Sequence, residues 1–108
     1  MKLEVHPFKI TVQWNGKAYN MEVTQSYLSD QIEIFLIKGG SKEIQVQSNR
    51  PLLRDKGLNK HHIKWRLIES TVHYMSAFEL AVKEIESVIR FIEYPPFDWK
   101  NHSRNSPH

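Results

Sequence analysis

"FKITVQWNGKAYNMEVT", Phe8 to Thr24, is the stretch that decides the fold class. Asn15-Gly16 is the pair that a type I′ turn selects, because both central residues of that turn need positive φ. A two-residue loop there sets Val12 opposite Tyr19, Ile10 opposite Met21 and Phe8 opposite Val23, all on one face. On the other face Thr11 meets Asn20, and Lys9 meets Glu22 in an attractive cross-strand pair. Sliding one strand by a single residue would scramble both faces. The stretch predicts an antiparallel hairpin with an apolar and a polar side.

A second hairpin is predicted in "QIEIFLIKGGSKEIQVQS", Gln31 to Ser48, turning at Gly39-Gly40. Two registers compete. A three-residue loop pairs Leu36 with Ile44 and Ile34 with Val46, and faces Lys38 with Lys42. A four-residue loop pairs Lys38 with Glu43 and turns Phe35 and Ile37 to the buried face. The first is preferred, because Ile32, Ile34 and Leu36 then make one continuous apolar row. Ser29-Asp30 supplies the turn between the hairpins. Beyond Ser48, "NRPLLRDKGLNK" carries Pro51, Gly57 and two Asn and reads as loop, with Leu52, Leu53 and Leu58 tucked under the sheet edge. Alternation resumes in "HHIKWRLIE" (61–69), a fifth strand with Ile63, Trp65 and Leu67 facing one way and Lys64 and Arg66 the other, and Thr71, Val72 and His73 suit its extension.

"SAFE", Ser76 to Glu79, has the form of a capping box, and Met75 and Leu80 stand where a hydrophobic staple would. Phe78, Ala81, Val82, Ile85, Val88, Ile89 and Ile92 follow at helical spacing as a core stripe. Glu79 with Lys83 and Glu86 with Arg90 are i,i+4 pairs for the outer face. Tyr94-Pro95-Pro96 ends the helix. The expected architecture is α+β: an antiparallel sheet of four or five strands, two hairpins plus a later strand, packed against one C-terminal helix. Residues 1–94 make a single domain. Residues 95–108 make a tail whose first part folds back on the helix and whose last part is disordered.

The 108 residues include no cysteine, so thiol catalysis, disulfides and cysteine-ligated zinc are excluded. No apolar run approaches membrane-helix length, and the first ten residues lack the apolar stretch of a signal peptide, so a cytoplasmic location is the default. The net charge of +3 is unevenly placed: residues 49–75 hold six Lys or Arg against two acids, while residues 1–48 balance. Arg50, Arg54, Lys56, Lys60, Lys64 and Arg66 are therefore the candidates for a polyanion such as nucleic acid. Stacking bases would also need Trp65 beside those cations, and strand alternation points it the opposite way from Lys64 and Arg66.

Catalytic and metal-binding signals are absent from the pattern. His61 and His62 are adjacent rather than at chelating spacing, the glycines at 16, 39, 40 and 57 make no phosphate loop, and Glu33 and Glu43 read as routine sheet surface. No cofactor is expected. Surplus apolar residues point instead to association: Phe35, Ile37, Leu80, Phe91, Phe97 and Trp99 exceed what one helix on one sheet face must bury. The leading expectation is a non-enzymatic interaction module, self-associating as a dimer or binding another protein. The alternative is polyanion binding through 50–66. The helix-free sheet face discriminates: Lys9, Lys64 and Arg66 gathered there would favour polyanions, and Phe35 and Ile37 there would favour association. The order of elements carries no function by itself.

Overall fold

The first hairpin forms in the register its turn demands. β1 (Phe8–Trp14) and β2 (Lys17–Leu28) pair Phe8 with Val23, Ile10 with Met21, Val12 with Tyr19 and Lys9 with Glu22. Asn15 and Gly16 both sit at positive φ, 55° and 76°. The computed structural model describes residues 3–58, 61–70 and 75–94, without the side chains of Ser70, Met75 and Ser76. β3 (Glu33–Gly39), β4 (Lys42–Ser48) and β5 (Trp65–Ser70) complete one antiparallel sheet in the order β1-β2-β3-β4-β5. α2 (Met75–Glu93) packs on one face of it, so the expected α+β architecture is present with five strands.

The second hairpin takes the register that the sequence argument ranked second. Lys38 pairs with Glu43, Ile37 with Ile44 and Phe35 with Val46. Gly39 faces Lys42, which leaves Gly40-Ser41 as a two-residue loop with Gly40 at φ 60°. Glycine at the first central position is the signature of a type II′ turn, which matches the twist of the strands it joins. This register also replaces a Lys–Lys contact with a Lys–Glu pair. Its consequence is that Phe35 and Ile37 are fully buried beneath α2 while Ile34 and Leu36 lie on the opposite face, half-buried. Burying each such side chain is worth about 1.5–3 kcal/mol.

Residues 50–55, expected as loop, form a short helix, α1 (Arg50–Asp55). Pro51 lies in its first turn, where an N–H would have had no partner. Gly57, at φ 70°, closes the other end: its N–H donates to the Arg54 carbonyl and that of Leu58 to the Leu53 carbonyl, the paired bonds of a Schellman motif. Leu53, 7% exposed, anchors α1 to the body of the protein.

α2 buries Ala77, Ala81, Val82, Ile85 and Ile89. Ile92, expected in that stripe, is 45% exposed, because the inward position one turn beyond Ile89 belongs to Glu93. The helix begins at Met75, so Ser76 lies inside it rather than before it; the side chains of Met75 and Ser76 are outside the described residues, and Glu79 is exposed. On β5, Trp65 and Leu67 pack against the core and Arg66 is exposed, as alternation requires, and Lys64 just before the strand is exposed too. Ile68 is the extra residue of a bulge against Gln45 and Val46 and is 45% exposed. An extension through Thr71–His73, the tail from 95 and its fold-back all lie outside the described residues.

Candidate functional site

The core face of β3 runs from Ile37 through Phe35 to Glu33, so an acid arrives on the buried side of the sheet. Glu33 is fully buried, not the surface residue its composition suggested. Its four lone-pair sites are filled. Oε1 accepts from Gln25 Nε2 at 2.9 Å and Arg50 Nη2 at 2.6 Å, and Oε2 accepts from the Ser48 hydroxyl at 2.6 Å and Arg50 Nε at 2.7 Å. Ser48 is Glu33's direct neighbour across the β3–β4 ladder. Arg50 follows two residues later at the start of α1 and meets the carboxylate with the fork geometry that suits a buried guanidinium.

Arg50 links the sheet to two further parts of the chain. Nη2 donates to the Leu3 carbonyl at 2.6 Å and Nη1 to Glu93 Oε2 at 3.3 Å. Glu93 is gripped again by Arg54, through Nε to Oε2 at 2.8 Å and Nη2 to Oε1 at 2.7 Å. Burial pushes the Glu93 carboxyl up, but the hydrogen bond from Arg54 and the charges of Arg54 and Arg50 outweigh it and hold the group below its ordinary value. The hydrogen bond to Glu93 likewise raises Arg54 against the opposing effect of burial. This chain of four charges clamps β3, α1 and the last turn of α2 together at one end of the sheet.

The clamp revises the candidate polyanion site. Arg50 is fully buried and Arg54 has a side chain only 7% exposed, so Arg50 is consumed internally and Arg54 commits Nε and Nη2 to Glu93. Lys56, Lys64 and Arg66 are exposed, and Lys60 is outside the described residues. The candidate interaction residues separate as well. Phe35 and Ile37 belong to the core and present no surface, Leu80 is half-buried against that core, and Phe91 is 61% exposed. Phe97 and Trp99 lie outside the described residues. Trp65 faces inward, its ring centroid 6.0 Å from that of Phe35 and its indole N–H donating to Glu86. Glu86 was expected to serve Arg90.

Two surfaces remain. One is a cleft of about 510 Å³ beside the clamp, bounded by Arg54, the 61–63 segment and the last turns of α2. The other is the sheet face opposite α2. Its rungs follow from the registers: Lys9–Glu22–Lys38–Glu43 runs straight across β1 to β4. Beside it lie Thr24–Leu36–Gln45 and then Tyr27–Ile34–Gln47–Arg66. Ile34 and Leu36 are half-buried and Tyr27 is 50% exposed, which gives the face an apolar centre on β2 and β3. Cations and acids on this face alternate, so Lys9 and Arg66 do not merge into one positive patch.

Among the described residues, no group of three or more His, Asp or Glu side chains is placed to hold a metal ion, and no helix is long and apolar enough to cross a membrane. No family model, curated protein or solved structure matches the chain. The clamp escaped the sequence argument through one error of register. With Gly40-Ser41 read as the turn, Glu33 falls on the buried face with Phe35, and a buried acid demands a cation nearby.

Proposed function

We propose that this chain is a non-enzymatic interaction module that pairs with a second copy of itself through the sheet face opposite α2. The observation that carries this reading is the charge order of one rung, Lys9–Glu22–Lys38–Glu43. The sequence +, −, +, − is antisymmetric about the β2–β3 boundary. A two-fold axis along the strands at that boundary brings Lys9 against the other copy's Glu43 and Glu22 against its Lys38. The same axis sets Tyr27 against Ile34 and Thr24 against Leu36. An apolar centre with complementary charges at its edge is the anatomy of a specific interface, and a two-fold contact must match itself in this way.

Five strands about 4.8 Å apart and seven residues of about 3.3 Å each make a face of roughly 24 by 23 Å. That footprint is modest beside the roughly 800 Å² per partner of standard interfaces, which fits a dimer dissociating in the micromolar range. A cytoplasmic setting, based on a chain free of cysteine, belongs to the same proposal. Sedimentation of the full chain tests it. The wild type should run as a monomer–dimer mixture at tens of micromolar, and Leu36→Glu should run as a monomer with unchanged circular dichroism. A wild type that stays monomeric throughout, or a Leu36→Glu dimer of equal affinity, would remove the proposal.

A further inference from the structure

We infer that the cleft beside the ionic clamp binds a small organic oxyanion, a phosphate or carboxylate head on an apolar body. The cleft lies on the α2 side of the sheet, away from the face proposed for self-association, so this inference stands independently. Its volume, about 510 Å³, falls in the range of small-molecule sites. Hydrogen-bonding capacity in its walls is one-sided. Arg54 spends Nε and Nη2 on Glu93, and its Nη1 is buried with no hydrogen-bond partner among the described residues. A buried guanidinium nitrogen left without an acceptor is costly and calls for one.

Further donors border the same space: Arg90, His61 and His62 are exposed along it, and Tyr94 lines it as well. Arg90 has no ion-pair partner among the described residues. Of the two acids of the wall, Glu93 is engaged through both oxygens, by Arg54 and Arg50, and Glu86 through Oε1, by the Trp65 indole. The cleft thus offers guanidinium and imidazole donors with few open acceptors, which selects an acceptor-only head group of the kind that forked guanidinium donors recognise. Ile63, Ile89 and Tyr94 supply the apolar wall against which the rest of such a ligand would lie.

Titration of the full chain by NMR tests the inference, with phenyl phosphate and benzoate as probes, phenol as the uncharged control and sodium chloride at matched ionic strength. At least one of the two anions should produce saturable shifts at the Trp65 indole N–H and the Arg54 Nε–H, and the tighter one identifies the preferred head group. Arg90→Gln combined with His61→Ala, both exposed positions, should keep the dispersed spectrum and weaken that binding at least tenfold. Equal shifts with phenol, reproduction of the shifts by chloride, or unchanged affinity in the double variant would each overturn it. So would the absence of saturation with both anions.

Discussion

Arg50 holds more of this molecule in place than any other polar side chain described. It joins Glu33 of β3, Glu93 of α2 and the Leu3 carbonyl of the N-terminal segment, with no solvent contact. Two opposed charges in a buried site are worth little net, yet removing one strands the other. Arg50→Met should therefore cost about 3–5 kcal/mol in urea unfolding. Arg50→Met with Glu33→Leu should recover a substantial part of that loss, because neither buried charge of the pair is then left unpaired. Equal losses in the single and double variants would contradict this account. Glu93 adds a pH dependence. Its folded value is lowered, so its contribution is complete above the ordinary carboxylate value of 4.5 and is lost as pH falls through the lower folded value. Glu93→Gln should be less stable than wild type at pH 7, with the gap closing toward pH 3. The raised Arg54 value has no counterpart at working pH. None of these contacts was legible in the sequence as such: Glu33 and Arg50 are 17 positions apart, and only the correct strand register shows that the acid points inward.

At the scale of elements, turn chemistry set what the apolar pattern left undecided. Strand β3 reads apolar on both faces, Phe35 and Ile37 on one and Ile34 and Leu36 on the other, so periodicity could not choose between them. Gly40-Ser41 chose, through the positive φ of Gly40. The first hairpin was fully legible because its alternation is one-sided and its turn unambiguous. Helix α1 was missed for the opposite reason. Pro51 and Gly57 suit a loop, yet proline in a first turn and glycine just past a last turn bracket a helix as well as they break one. Gly57 makes this testable. A Cβ there would meet no neighbouring atom within 4 Å, so Gly57→Ala changes only the backbone cost of φ 70°. That substitution should destabilise the protein by about 1–2 kcal/mol in thermal unfolding. No change would mean the Schellman end is not formed.

For the whole molecule, the arrangement is a sheet with one face spent on α2 and one left to the surroundings. The internal clamp draws two arginines out of the basic 49–75 segment, so the segment's sequence charge overstates what solvent meets. The open face keeps a balanced row of charges around an apolar centre, and its self-match under a two-fold axis is the central claim. Lys9 and Glu43 isolate that claim. They stand three strand spacings apart in one chain, about 14 Å, too far for direct contact within one copy, yet the proposed axis makes them partners between copies. Sedimentation equilibrium of wild type, Lys9→Glu, Glu43→Lys and the double variant is the most direct measurement. Each single reversal should weaken the dimer roughly tenfold, at about 0.7 kcal/mol for each of two symmetric contacts, and the double variant should return to near wild-type affinity. A double variant whose loss equals the sum of the two singles would contradict the pairing and the interface built on it.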